Sequence, residues 1–131
     1  MKIICIAILF LLCGCSPINV ETAKEKVSIF HGLYQRDSYS DIYKMTSSSF
    51  KKATSEQQFT KIIKESKSIT LGEYKKSKLK TETTTRRFFS NNEVSLIYYS
   101  EYSRRVTQEI FVFEIVNGEA ELEGYRYDAI N

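Results

Sequence analysis

The spacing of hydrophobic residues changes at Gly72, and this change constrains the fold more than any other feature of the chain. Between Val20 and Tyr34 the apolar residues recur every three or four positions, which indicates one buried face of a helix. Beyond Gly72 they recur in steps of two, which is typical of β-strands. A helical half followed by a sheet half predicts a single domain of the α+β class.

Three helices are predicted before the change of period, and the first carries the stripe that begins at Val20. The second is short and centred on Ile42, and the hydroxyl-rich segment 46–49 after it is predicted to be a helix breaker. The third begins after Thr54, where Gln57 three residues later would complete a capping box, and it ends near Ser68.

Four antiparallel strands are predicted in the second half. The first, within residues 74–89, is polar and rich in threonine, which favours an edge strand. Two strands with bulky residues on both faces follow, between residues 94 and 116. Asn117 and Gly118 both tolerate positive φ and predict a tight hairpin turn into a last strand over residues 119–128.

Residues 1–14 have the pattern of an export signal. Lys2 supplies a positive start, and residues 3–12 form an apolar run of ten. As a helix this run would span about 15 Å, half of the roughly 30 Å hydrocarbon core of a bilayer. It therefore predicts the apolar region of a cleaved secretory signal rather than a membrane span.

The segment Leu12-Cys13-Gly14-Cys15 follows the apolar run directly and resembles the lipobox of bacterial lipoproteins. The resemblance implies cleavage before Cys15, lipidation of its thiol and amine with diacylglycerol and a fatty acid such as palmitate, and a tether over 15–20. Residues 21–131 would then form the anchored domain. An ordinary signal peptide with an incidental cysteine is the alternative.

The lipobox interpretation also decides the chemistry open to the cysteines. Cleavage would remove Cys5 and Cys13, and lipid would occupy Cys15, so the mature domain would have no disulfide and no thiol nucleophile. The chain would be exported and held on a membrane surface. Ser16 resembles the residue that favours sorting to the periplasmic face of the outer membrane, if the host is a diderm.

A series of packing and turn residues follows a familiar order along the mature chain. Its members are Phe30, Leu33, Tyr34, Asp37, Ile42, Tyr43, Phe50, Phe59, Leu71, Gly72 and residues 117–125. This order resembles small bacterial lipoproteins of unknown function with an NTF2-like, or cystatin-like, α+β cone. The resemblance implies three helices packed on a curved four-strand antiparallel meander with a concave mouth, and it implies no particular chemistry.

Charge is distributed unevenly along the sequence. Residues 51–87 contain eleven Lys or Arg against four Glu, whereas residues 109–128 contain six acids against one Arg. Two solvated faces that partly neutralise each other are the simpler interpretation. The alternative is a basic face that meets anionic lipid, envelope polysaccharide or an acidic protein. An exported chain without a nucleic-acid motif is not expected to bind nucleic acid.

Few residues are candidates for catalysis. Glu101, Glu109 and Asp128 could each act as a base, as an aspartate does in the NTF2-like ketosteroid isomerase. No residue-by-residue match to that site exists, and a position of Glu109 at the edge of the sheet explains it more simply. His31, the only histidine, excludes a multi-histidine metal site and is interpreted as structural. We therefore expect no cofactor and no enzyme activity.

Aromatic residues on the predicted strands are the remaining candidates for a site. They are interpreted either as core residues or as residues that line a pocket or a docking face. The candidates for the pocket or docking face are Tyr98, Tyr102, Phe111, Phe113 and Tyr125.

Two classes of function remain open. One is a non-enzymatic envelope lipoprotein that binds a protein partner as an accessory, assembly or immunity module. The other is a lipoprotein that binds a small molecule or glycan in the mouth of the cone. An isomerase-like enzyme is a distant third.

Overall fold

A computed structural model describes residues 18–131, which form helices packed on one face of an antiparallel sheet. The helices in this part of the chain are α1 (Val20–Gln35), α2 (Tyr39–Lys44), α3 (Ser48–Ala53) and α4 (Glu56–Glu65), and Ser66–Leu71 is π-helical. The strands are β1 (Tyr74–Thr85), β2 (Glu93–Tyr102), β3 (Val106–Val116) and β4 (Glu119–Ala129). The sheet order β1-β2-β3-β4 confirms the predicted α+β class and four-strand meander.

The long helix α1 forms as its hydrophobic pattern predicts. Asn19 caps it, because its side-chain oxygen accepts a hydrogen bond of 3.0 Å from the backbone N–H of Glu21. One face of α1 is buried against the sheet. The buried residues of that face are Ala23, Val27, Phe30, His31 and Tyr34.

The segment predicted to break the helical region starts a helix instead. The side chain of Ser47 accepts a hydrogen bond from the backbone N–H of Phe50, so that this hydroxyl caps α3. The backbone of Ser47 also donates to Leu122 O at 2.8 Å, and Leu122 N donates to Met45 O at 2.9 Å. These bonds hold the segment on the edge of β4. The described residues thus contain four helices rather than three.

The predicted capping box lies one residue further along the chain. Ser55 rather than Thr54 caps α4, and Gln58 rather than Gln57 completes the reciprocal pair. Both pairs have the required spacing. Phe59 and Ile63 are the buried residues of α4.

The π-helical segment brings a lysine into the interior. Lys67 is 9% exposed, and its Nζ donates to Tyr34 O at 3.0 Å and to Asp37 Oδ1 at 2.7 Å. The ammonium group thus satisfies a carbonyl at the C-terminal end of α1 and pairs with a carboxylate. Both interpretations of the charged stretch 51–87 place Lys67 on an exposed face of the domain. This was wrong for Lys67, because the π-helical turn directs it inward.

Gly72 marks the boundary between the helices and the sheet. Its φ is +78°, and an added Cβ would lie 2.0 Å from Ser103 Oγ. A side chain at this position would therefore be strained and would collide with the β2–β3 turn. Gly72 also accepts a hydrogen bond of 2.8 Å from the Tyr34 hydroxyl, which joins the boundary to α1.

The sheet buries one face against the helices. The even-numbered residues of β2 and the odd-numbered residues of β3 point inward, as the burial pattern of both strands shows. β1 lies at one edge, as predicted, and exposes Lys75, Lys76, Lys78 and Lys80. Asn117 and Gly118 have φ of +51° and +80°, which confirms the predicted turn between β3 and β4.

The described residues do not cover the predicted export signal. Residues 1–14, Cys15 and the first part of the tether lie outside them. Among residues 18–131, no helix is both long enough and apolar enough to cross a membrane.

Replacing Lys67 by Met should destabilise the domain by about 2 kcal/mol, because a buried carbonyl of α1 and a carboxylate lose their partner. Urea unfolding followed by circular dichroism measures this change. Lys64→Met is the matched control, since Lys64 is exposed one turn earlier, and it should change stability by less than about 0.5 kcal/mol. Equal effects of the two substitutions would contradict the role given to Lys67.

Candidate functional site: a buried carboxylate beneath a surface cleft

A carboxylate lies at the centre of the domain. Glu109 is 0% exposed, and its strand β3 lies between β2 and β4. His31 Nε2 lies 2.9 Å from Glu109 Oε1. The hydroxyls of Tyr102 and Tyr125 donate to Glu109 Oε2 at 2.8 and 2.5 Å. One side chain thus joins α1, β2, β3 and β4.

The local geometry of β4 explains how Tyr125 reaches this carboxylate. In β4, Ala120 and Leu122 are buried, so simple alternation would turn Gly124 inward and Tyr125 outward. The register shifts between Val112 and Phe113, which adds one residue on β4. After this bulge Tyr125 lies opposite Phe111 on the inner side.

The network determines which groups carry protons. Burial alone would raise the pKa of Glu109, but the hydrogen bond and the electrostatic attraction of His31 together lower that pKa below its usual value. Burial and the neighbouring carboxylate raise the pKa of Tyr102 and of Tyr125, so both remain protonated donors. An ionised carboxylate only accepts, and His31 therefore donates from Nε2.

Aromatic rings fill the space around the network. The His31 ring stacks on Tyr74 with centroids 4.0 Å apart and an angle of 9° between the planes. Phe30, Phe111 and Tyr125 contact one another with centroid separations of 5.1, 4.8 and 5.0 Å. The interior between α1 and the sheet is thus occupied by side chains in direct contact.

A surface cleft of about 360 Å³ lies on the outer side of His31. Its lining includes Lys24, Ser28, His31, Gln35, Tyr74 and Tyr98. His31 is only 4% exposed and Glu109 is fully covered. A molecule in the cleft could therefore touch an edge of the imidazole but could not reach the carboxylate.

The candidate aromatics lie on the inner face of the sheet. Tyr98, Tyr102, Phe111 and Phe113 are buried, and Tyr125 is half-buried beside them. Tyr98 alone lines the cleft, while the others pack in the core or bind Glu109. The outer surface of the sheet carries none of the five.

The three candidate bases are not brought together. Glu101 pairs with Lys76 at 3.6 Å on the outer face, and Asp128 is exposed near the end of β4. The edge position inferred for Glu109 was wrong, because β3 is an inner strand. The sequence held a signal for its burial, since Glu109 lies two and four residues before Phe111 and Phe113 and therefore shares their face of the strand. The bonds from Tyr102 and Tyr125 were missed because they depend on strand pairing and on the bulge.

Comparisons with known proteins assign no family to this chain. No protein-family model matches the chain, and the search of curated proteins found no match either. Within residues 18–131, no group of three His, Cys, Asp or Glu residues is placed to hold a metal ion.

Replacing Glu109 by Gln should cost about 3 kcal/mol of folding free energy, because one amide oxygen cannot accept from three buried donors. Urea denaturation at neutral pH measures the loss. Glu119→Gln is the control, since Glu119 is exposed and lies 3.8 Å from Lys26, and it should cost less than about 1 kcal/mol. A Glu109→Gln loss as small as that of the control would contradict the central role of the carboxylate.

Acid should weaken the wild-type protein through the same group. Because the folded-state pKa of Glu109 is lowered from 4.5, its stabilisation is complete above that pH and is lost as pH falls through the folded pKa. Below pH 4.5 the stability of the wild type should fall more steeply than that of Glu109→Gln. Parallel curves from denaturant titrations between about pH 4.5 and pH 2.5 would be the contrary result.

Proposed function

We propose that this chain is an exported bacterial lipoprotein, anchored through Cys15, whose NTF2-like domain is a non-enzymatic protein-interaction or accessory module. The observation that carries the proposal is the filled interior. In a cone-shaped ligand binder the space between α1 and the sheet would be a pocket. Here the contacts among Phe30, Phe111 and Tyr125 occupy it. A partner would therefore bind to the outer surface of the domain.

The outer face of the sheet is the surface best suited to a protein partner. Ile97 of β2 lies directly opposite Ile110 of β3, and Val112 continues the apolar row on the same face. All three are half-buried, and Tyr99 beside them is 39% exposed. Apolar residues and a tyrosine on one face offer contact area at little entropic cost.

Charge next to this apolar row indicates the kind of partner. Lys76 and Lys78 of the edge strand lie opposite Glu101 and Tyr99. Lys80 Nζ lies 4.7 Å from the centre of the Tyr99 ring. An acidic protein surface would complement these lysines and would approach faster because of them. These lysines belong to the charged stretch 51–87, for which a basic face was the alternative interpretation.

A second candidate function is the binding of a small molecule or glycan in the cleft beside His31. Its volume of about 360 Å³ falls at the lower end of known ligand sites, which span roughly 300–1,000 Å³. Lys24, Ser28 and Gln35 would supply polar contacts, and Tyr74 and Tyr98 would supply ring surface. An isomerase-like reaction has less support, because both oxygens of Glu109 are engaged and covered.

The partner surface can be tested by crosslinking in intact envelopes. Reversing two charges on the edge strand, Lys76→Glu with Lys78→Glu, should reduce a specific crosslinked species by about tenfold or more. The matched control reverses two exposed lysines of α3, Lys51→Glu with Lys52→Glu, and should leave that species unchanged. If both pairs act alike, or if neither changes the species, the outer face is not the docking surface.

The anchor can be tested separately. Cys15→Ser should abolish incorporation of a labelled fatty acid and release the protein from the membrane fraction, because the lipidated thiol is lost. Metabolic labelling and fractionation of cells measure both effects, and Ser16→Ala serves as the neighbouring control. Unchanged labelling of Cys15→Ser would refute the lipidation site.

A further inference from the structure

Two adjacent phenylalanines are held in water at the tip of the β1–β2 loop. Phe88 and Phe89 are 99% and 104% exposed, the highest values among the large hydrophobic residues of the described chain. Each ring has a large apolar area that water disfavours. Two such rings side by side form an apolar patch of the kind that marks an interaction site.

The loop that carries them is bonded to the sheet. The backbone N–H of Arg87 donates to Asn92 Oδ1 at 3.0 Å, and the Arg87 side chain forms an ion pair with Glu93. Asn92 O accepts a hydrogen bond of 2.9 Å from the backbone of Ile115 at the end of β3. These contacts fix both ends of the loop and leave the rings projecting from it.

The tip lies at the end of the domain where α1 begins. Lys24, in the second turn of α1, pairs with Glu82 of β1 at 2.9 Å. Lys26 approaches Glu119, the first residue of β4, at 3.8 Å. The start of α1, the β1–β2 loop and the β3–β4 turn therefore share one end of the molecule.

Chain lengths show that the tip and the anchor can reach one surface. The six residues from Glu82 to Phe88 span up to about 20 Å when extended, whereas the four from Lys24 back to Val20 span about 6 Å of helix. The tip thus projects up to about 14 Å beyond the start of α1. The five residues from Cys15 to Val20 reach about 17 Å.

We propose that Phe88 and Phe89 insert into the lipid surface that the Cys15 anchor occupies, so that the domain is held at two points. The inference rests on the proposed anchor. Insertion places the rings at the boundary between headgroups and acyl chains, about 5–10 Å deep. The short tether would hold the tip close to the membrane, and we therefore assign the lipid surface as the partner of this apolar patch.

Apolar contact rather than charge drives this docking. Arg87 is already paired with Glu93, and the bases at this end, Lys24, Lys26, Arg86 and Arg87, are fewer than the acids. The acids nearby are Glu21, Glu25, Glu82, Glu114, Glu119 and Glu121. Anionic headgroups would therefore gain little, and zwitterionic phosphatidylcholine vesicles are the appropriate probe.

The chain has no tryptophan, so Phe88→Trp creates a single fluorescent reporter at the tip. The lipidated mature protein is reconstituted in phosphatidylcholine vesicles, with and without bromine on the acyl chains. Trp emission should shift to the blue on vesicles and be quenched by bromine. The matched control is Ile69→Trp, which is 72% exposed in the π-helical segment at the other end of the domain, and it should show neither effect.

The outcomes separate the tip from the anchor. Vesicle-bound protein with unshifted, unquenched emission from the tip would overturn the inference and leave the anchor intact, as would a tip that crosslinks only to protein. If the chain is not acylated, the proposed anchor is refuted, and binding through the tip is measured with unacylated protein and an excess of vesicles. Phe88→Ser with Phe89→Ser should then weaken binding at least about tenfold, and no change would overturn the inference.

Discussion

The buried carboxylate of Glu109 is the interaction on which the rest of the domain depends. A buried charge without partners would cost several kcal/mol, so the surrounding elements must supply donors at fixed positions. His31 comes from α1, Tyr102 from the end of β2 and Tyr125 from β4 after its bulge. The position of the long helix over the sheet and the register of β4 are both tied to this group. Such a network specifies one arrangement, because a slip of one residue would leave three donors and a charge unmatched.

The same network explains why the protein's own side chains fill the space over the inner face of the sheet. A pocket over Glu109 would need water or a substrate to satisfy the carboxylate, but the protein already supplies all three donors. Rings from α1, β3 and β4 then close over the site. The open features of the domain are consequently at its periphery. They include the cleft beside His31, a cleft of about 620 Å³ beside Lys67, the outer face of the sheet and the β1–β2 tip.

The order of elements could be predicted from the sequence because it depends on local periodicity and turn chemistry. The stripe of α1, the edge position of β1 and the Asn117-Gly118 turn all belong to this class. The start of α3 could not, since Ser47 is equally suited to a loop until β4 accepts its backbone bond. Lys67 and Tyr125 were unpredictable for a related reason. A π-helical turn and a β-bulge each change which way a side chain points. The bulge shows in the sequence only as a step of three from Leu122 to Tyr125 across Gly124, which does not say how β4 pairs with β3.

The proposed contacts together give the domain one orientation. If the anchor and the β1–β2 tip share a membrane surface, the strands rise away from that surface, because the start of α1 and the tip lie at the same end of the sheet. The π-helical segment and Gly72 are then furthest from the lipid. The outer face of the sheet, with Ile97, Ile110 and the lysines of β1, would face sideways and remain open to a neighbouring envelope protein. A tether alone would let the domain tumble, whereas a second contact fixes this face and raises its effective concentration towards partners in the same membrane plane.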